Sequence, residues 1–417
     1  MIGCDFYMSN NDFNGKALFI VSNTAQIEMF KRIIRDIKDF EIKFINTEVY
    51  SILDDMEKLL NKYGFDYENI DDWSLNSIHT ILDNDQPSII VSAHDQSPVD
   101  ILFIKAGNER GLPSLTVQEG LLAVTRFVNR SASDKIMYMS KMSLRMLKLI
   151  LNPYRPFKYK TSRLKFELIY GRGYSYAYGH GDSSKIALFG DSTKNMLISE
   201  GVPPEKLMVT GNSKFDNLFQ YKDPNKKNFY REEYNVPVDR KVVLVLTQWF
   251  VESRMWTVEQ RKFFVSEIAK ACGNLTDVQL VFKLHAPHES EVDYREILDG
   301  VPVSSLIFTT EPIHEIISMA DVVVSVSSTA ALESLALDKP VLIINLYDDP
   351  GSLLFKDGGV LYIEKADMIQ SSLEKLVFHP DDFVEWDKME KFVRDEAYII
   401  DGNASKRISN LIREMAL

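Results

Sequence analysis

Three stretches set hydroxyls, histidines and a carboxylate where an apolar run ends. The first is residues 321–345, DVVVSVSSTAALESLALDKPVLIIN. An apolar run leads into Ser325, Ser327, Ser328 and Thr329, and a helical pattern starts there. Hydroxyls together with the free N–H groups of a helix N-terminus form an anion site that suits a monophosphate or diphosphate. Glu333, one turn further, can accept hydrogen bonds from ribose hydroxyls. The same residues also read as a plain capped helix, with Ser328 or Thr329 as N-cap. Position at the exit of a parallel strand favours the ligand reading.

The second stretch is VFKLHAPHE, residues 281–289. Lys283 and His285 alternate onto one face of a strand. A histidine at this exit can donate to a phosphate or protonate a leaving group. His285, His288 and Glu289 do not have the spacing of a zinc site, so no metal is expected. The third is GLPSLTVQEG, residues 111–120. Glu119 follows a strand and reads either as a general base for an acceptor hydroxyl or as a carboxylate stabilising a helix N-terminus. In VTGNSKFD, residues 209–216, Gly211 and Asn212 permit a positive-φ turn, and Asp216 can cap or orient a hinge. Thr247 and Gln248 occupy one more strand exit, within reach of a phosphate.

The elements around these exits alternate between strand and helix. ALFIVS (17–22), EIKFI (41–45), SIIVS (88–92), 114–118 and 207–210 read as strands in a first half. Residues 242–246, 278–284, 305–309, 321–326 and 340–345 read as strands in a second half. Helical patterns carry Ile27, Phe30, Ile34 and Ile37 on one face, and cover 195–200, 257–272, 312–319 and 329–336, with Pro312 expected at the first helical position. Such alternation implies parallel sheets with right-handed crossovers. A chain of 417 residues exceeds one ordinary core. The expected division is a leader at 1–15, an N-terminal Rossmann-like acceptor domain at 16–220, and a polar linker at 221–240. A C-terminal Rossmann-like donor-nucleotide domain follows at 241–385, with closing helices at 386–417 that pack back across the domains. Ile408, Leu411, Ile412 and Met415 form the stripe of the last helix.

Composition narrows the function. A net charge of −12 argues against a dedicated nucleic-acid binder. Two cysteines, Cys4 and Cys272, cannot build a disulfide framework and fit a reducing compartment. Residues 1–15 lack the features of a signal peptide, and no run approaches 18 apolar residues. The expected location is therefore the cytoplasm. Between Arg126 and Arg172, however, twelve Lys/Arg stand against two acidic residues. They include Arg145, Lys148, Arg155, Lys158, Lys160, Arg163 and Lys165, interleaved with aromatic and aliphatic side chains. In an acidic chain this segregation suits the surface of an anionic membrane or an anionic acceptor, so 126–172 is expected to face the cytoplasmic side of the cell membrane.

Taken in order, the motifs resemble a GT-B nucleotide-sugar enzyme. ALFGDSTKNMLISEGVPPEKLMVTGNSKFD (187–216) resembles a linker segment of the UDP-N-acetylglucosamine 2-epimerase-like group. That group includes CDP-glycerol glycerophosphotransferases and capsule-polysaccharide transferases. Ser213 replaces the proline of the group's TGNP turn. SVSSTAALESLALDKPV resembles its donor-site serine loop. KLHAPHE resembles its Lys-x-His-Pro element, with Ala286 inserted. VQEG resembles its acceptor-side Gln-x-Gly turn, and DGNASKRISNLI (401–412) its closing helix. The resemblance spans about residues 17–30, 88–120 and 187–412 and leaves out the basic block.

It implies two Rossmann-like domains facing a central cleft and metal-independent chemistry, with no cofactor beyond a nucleotide-activated sugar as donor substrate. Carried over by position, Ser327, Ser328 and Thr329 hold donor phosphate, and Glu333 holds the ribose. His285 contacts the phosphate or assists departure, and Glu119 is the base; Thr247, Gln248, Lys283 and Ser325, read from their own strand exits, are expected to join the donor site. The expected activity is a glycosyltransferase that moves a sugar, or a polyol phosphate, to a lipid-linked or polysaccharide acceptor in cell-surface glycan synthesis. The alternatives are a non-hydrolysing UDP-N-acetylglucosamine 2-epimerase-like enzyme and a catalytically inactive glycan-binding scaffold. Epimerases of this kind carry His-x-Glu-x-Gly and Ser-Gly-Gly, where this chain has Val117-Gln118-Glu119-Gly120 and Ser327-Ser328-Thr329.

Overall fold

Short runs of branched apolar residues, too short for buried helices, become the strands of two parallel sheets. The structure is a computed structural model. It describes residues 13–47, 53–70, 72–121, 178–285 and 288–417, with 147, 151, 160, 161 and 164. The described chain falls into two units. The first takes its described residues from Met1–Glu119, Thr125–Lys214 and Asn403–Leu417; the second takes its own from Gly120–Val124 and Phe215–Gly402.

In the first unit the strands are β1 (Gly15–Val21), β2 (Phe40–Asn46), β3 (Asp66–Asn69), β4 (Ile89–Ser92), β5 (Ser114–Val117), β6 (Lys185–Leu188) and β7 (Leu207–Val209). Its helices are α1 (Thr24–Ile34), α2 (Leu53–Tyr63), α3 (Leu75–Asp85), α4 (Pro98–Asn108) and α5 (Asp191–Ser199). The sheet order is β3-β2-β1-β4-β5-β6-β7, all parallel. Strand alternation sends Ala17, Phe19 and Val21 to one face, with Ile27, Phe30 and Ile33 of α1. Leu18 and Ile20 go to the other, with Leu82 of α3 and Leu102 of α4. Both faces are therefore covered, as a parallel sheet requires.

The second unit holds α6 (Pro224–Glu233), β8 (Lys241–Leu246), α7 (Val258–Gly273), β9 (Val278–Lys283), α8 (Glu291–Leu298) and β10 (Ser305–Phe308). There follow α9 (Ile313–Met319), β11 (Val322–Ser325), α10 (Thr329–Ala336), β12 (Val341–Ile344), β13 (Leu361–Ile363), α11 (Ile369–Phe378), α12 (Pro380–Phe383) and α13 (Trp386–Ala397). The order is β10-β9-β8-β11-β12-β13, again all parallel. Helix α13 lies against α10, while the last helix, α14 (Ala404–Ala416), lies against α1 in the first unit. Its Ile408, Leu411 and Ile412 join that unit's core, as the helical stripe requires.

The elements depart from the sequence expectation in places. Pro312 is the N-cap of α9, with ψ 125, and not its first helical residue. Residues 221–240 contain α6, whose Arg231 is buried and donates to the Met319 carbonyl and to Asp321. The helices α2 and α3 lie outside the elements expected from the sequence, although Met56 and Leu60 of α2 and Ile78, Ile81 and Leu82 of α3 recur at helical spacing and are buried.

Candidate functional site

In an open parallel sheet, ligands bind where the strand order reverses, beyond the carboxyl ends of the strands. In the first unit that point lies between β1 and β4. The residues leaving β1, β4 and β5 meet there. Asn23 caps α1 by accepting the Gln26 backbone N–H at 2.9 Å. Gln26, which is 1% exposed, donates from its amide to Glu119 Oε2 at 2.9 Å. His94 Nε2 lies 3.3 Å from the same oxygen. The Lys214 ammonium reaches the Glu119 carbonyl at 3.4 Å.

Burial pushes the Glu119 carboxyl up, but His94 and Gln26 outweigh it and hold it below its ordinary value. Burial lowers His94, yet Glu119, Asp100 and Asp95 together raise it above the ordinary imidazole value. Asp95 is fully buried and accepts the Gly179 and Gly181 N–H groups at 3.0 and 2.8 Å. Burial still raises its carboxyl. Burial also pushes Asp100, on α4, up to about 6. Gly181 packs on Asp95 so closely that a Cβ there would meet the Asp95 carbonyl at 2.5 Å.

In the second unit the reversal lies between β8 and β11. Gln248 leaves β8 and bonds Ser327 twice, donating to its Oγ at 3.1 Å and accepting its backbone N–H at 2.9 Å. Ser325 Oγ accepts the Ser328 N–H at 3.3 Å, and Ser328 caps α10 by accepting the Ala330 N–H at 3.2 Å. Thr329 is the first residue of α10. Serine hydroxyls therefore surround a helix N-terminus whose first N–H groups lack intrahelical partners. Glu333, on the next turn, is buried and bonds His314 Nε2 at 2.9 Å. The Tyr221 ring packs beside His314, with centroids 5.5 Å apart.

The β9 exit is tied to β8. Thr247 donates to Glu289, and the His285 N–H donates to Glu289 at 2.8 Å. Tyr294 donates to the other Glu289 oxygen. The rings of Trp249, His285 and His288 lie nearly parallel, Trp249 and His288 with centroids 4.7 Å apart. Lys283 is buried and donates to the Thr309 carbonyl at 2.6 Å; burial lowers its ammonium.

A family model described as UDP-N-acetylglucosamine 2-epimerase matches residues 185–413, more than half of the chain. The chain belongs to the UDP-N-acetylglucosamine 2-epimerase family. Its fold is that of solved structures at low identity. One is the UDP-GlcNAc 2-epimerase of Neisseria meningitidis bound to UDP-GlcNAc, 17% identical, with a TM-score of 0.58 over 96% of this chain and 100% of that chain. A second is S. aureus MnaA with UDP, 16% identical, with a TM-score of 0.56 over 95% and 96%. A third is the wall teichoic acid polymerase TagF, 13% identical, with a TM-score of 0.54 over 96% and 88%. No curated protein matches the chain. These likenesses give it the two-domain GT-B α/β fold of a nucleotide-sugar enzyme family.

Within this family member, the structure brings Gln248, Ser325, Ser327, Ser328 and Thr329 together at one strand exit. It brings Thr247 and His285 together at the next. Gly211 takes the positive φ, at 82°, whereas Asn212 turns its side chain back to accept the Lys214 N–H at 2.9 Å. Asp216 lies beside Gly402, its carbonyl 3.1 Å from where a Cβ would stand. Arg145, Lys148, Arg155, Lys158, Arg163 and Lys165 lie outside the described residues; Lys160 is described and half-buried. Among the described residues, no three His, Cys, Asp or Glu side chains gather as a metal site, and no helix is long and apolar enough to cross a membrane.

The sequence reading missed Gln26, His94, Asp95 and Asp100. For the last three a local signal was present in SAHDQSPVD, a histidine and an aspartate just after the apolar run SIIVS; for Gln26 there was none.

Proposed function

We propose that the protein transfers a sugar, or a polyol phosphate, from a nucleotide-activated donor to an acceptor hydroxyl. The observation that carries this is the Glu119 carboxylate at the reversal point of the first sheet, held ionised by Gln26 and His94. An ionised, partly desolvated carboxylate is a competent general base at neutral pH.

In this reading the acceptor O–H gives its proton to Glu119, and its oxygen forms a bond to the donor's reacting centre. That centre is the anomeric carbon of a sugar or the phosphorus of a polyol phosphate. The bond from that centre to the nucleotide's phosphate oxygen breaks, and its electron pair leaves with the nucleotide. The serine hydroxyls and the α10 N-terminus stabilise the charge on the departing phosphate. His285 donates to it, and Glu333 takes the ribose. The chemistry asks for no metal or cofactor, and the basic segment 126–172 brings the protein to a lipid-linked or polysaccharide acceptor at an anionic cytoplasmic membrane face.

A second reading, 2-epimerisation of UDP-N-acetylglucosamine, is favoured by the family match itself. One experiment separates the two. The protein is incubated with UDP-, CDP-, CMP- and GDP-activated donors, with and without membranes of the organism that makes it. Transfer predicts nucleotide release that depends on the membranes. A 2-epimer formed from UDP-N-acetylglucosamine without any acceptor would establish the second reading in its place.

A further inference from the structure

The two oxygens of Glu119 have different surroundings. Oε2 takes the Gln26 amide at 2.9 Å and faces His94 Nε2 at 3.3 Å. No described residue donates to Oε1. Gln26 cannot turn out of this role. Its own Oε1 accepts the Ser22 backbone N–H at 2.7 Å, and the reversed amide would set oxygen against carboxylate and NH2 against N–H. The side chain is almost fully buried, so no water can take its place cheaply.

His94 is fixed from its backbone. Ser92 Oγ donates to the His94 carbonyl at 2.8 Å, and Asp95, the next residue, is tied to Gly179 and Gly181. Nδ1 of His94 is buried and has no hydrogen-bond partner among the described residues, whereas Nε2 faces Glu119. Both groups thus converge on one oxygen from elements separated in the chain, the first turn of α1 and the loop after β4.

We infer that His94 and Gln26 are positioning residues that occupy Oε2 of Glu119 and leave Oε1 as the oxygen that receives the acceptor proton. The inference rests on the transferase reading, in which Glu119 is the base. Both act through Glu119. They fix the rotation of the carboxylate, so that one lone pair of Oε1 points at the incoming hydroxyl. Loss of that orientation costs rate and not donor affinity, because a misplacement of about 1 Å can lower a rate about 100-fold.

The test compares kcat and donor KM for the wild type, His94→Ala, His94→Gln, Gln26→Met and Glu119→Gln. The readout is nucleotide release from the UDP-, CDP-, CMP- and GDP-activated donors with membranes present. His94→Ala and Gln26→Met are expected to lower kcat about 10- to 100-fold with donor KM unchanged. His94→Gln keeps an N–H donor in reach of Oε2 and is expected to recover most of the loss. Wild-type kcat in Gln26→Met, or in a folded His94→Ala, with Glu119→Gln inactive, overturns the positioning roles and leaves the base in place. His94→Gln as slow as His94→Ala overturns the hydrogen-bond role of His94. Full activity of Glu119→Gln removes the base itself, and with it the reading on which the inference rests.

Discussion

Gln248 and Ser327 hold each other through two hydrogen bonds, the amide oxygen taking the Ser327 N–H at 2.9 Å and the amide nitrogen reaching the Ser327 hydroxyl at 3.1 Å. The pair joins the exits of β8 and β11, which are adjacent strands at the reversal of the second sheet. With its oxygen accepting from Gln248, the Ser327 hydroxyl keeps its own proton for an anion. Gly351 closes against the same residue, where a Cβ would come to 3.0 Å from Ser327 Cβ.

Gln248→Ala should loosen this arrangement and weaken donor binding about 10-fold, near 1.4 kcal/mol. Calorimetric titration of the nucleotide into the variant checks this. Unchanged affinity would remove Gln248 from the donor site.

Glu333 predicts a preference that can be read on the ligand. If its carboxylate takes ribose hydroxyls, the wild type should bind a ribonucleotide about 10-fold more tightly than the 2′,3′-dideoxy form. Glu333→Ala should bind the two alike. His314 loses its partner in that variant, so circular dichroism should accompany the titration. An equal preference in both proteins would place the ribose elsewhere.

Asp321 sits at the start of β11 and receives Lys227 at 2.6 Å, Arg231 at 2.7 Å and the Val242 N–H at 2.7 Å. Burial pushes its carboxyl up, but these three partners outweigh burial and leave it below the ordinary 3.8. A carboxyl depressed in the fold contributes stability that is complete above its unfolded value and is lost as pH falls through the folded one. Asp321→Ala strands the buried Arg231 and should cost about 3 kcal/mol at neutral pH in urea unfolding. The gap between the wild type and Asp321→Asn should narrow below pH 4. A gap that stays constant down to pH 2 would contradict the assignment.

The basic segment predicts salt-dependent attachment. Vesicles with anionic lipid should float the protein at low salt and release it at high salt. Replacing Arg155, Lys158, Lys160, Arg163 and Lys165 with glutamate should abolish flotation. Equal flotation by the variant, or none by the wild type, would leave the segment without a membrane role.

What the sequence carried and what it did not follow from the range of each interaction. The stretch 322–336 announced both its strand and its helix, because a buried β run, a serine cap and a helical pattern are local signals. The helix begins at Thr329 with Ser328 as its cap. Glu119 stood out because a carboxylate at a strand exit is also a local feature. Its partners did not, since Gln26 lies 93 residues away and His94 belongs to a different strand exit. Only the parallel order of β1, β4 and β5 brings them together. Lys283 illustrates the converse. Its strand exit placed it among the donor-site candidates, and the residue just after β10 supplies the Thr309 carbonyl to which it donates. Such competition between a ligand and a neighbouring backbone group cannot be seen in one strand alone.

The central claim is that the Ser325–Thr329 exit holds the phosphate of a nucleotide donor. The most direct measurement is thermal unfolding with UDP, CDP, CMP and GDP, on the wild type and on Ser327→Ala/Ser328→Ala. At 100 times its Kd a true ligand adds about 2.7 kcal/mol, a shift of several degrees. At least one nucleotide should produce that shift in the wild type and lose most of it in the double variant. No shift with any of the four, or a shift that the double variant keeps in full, would contradict the account.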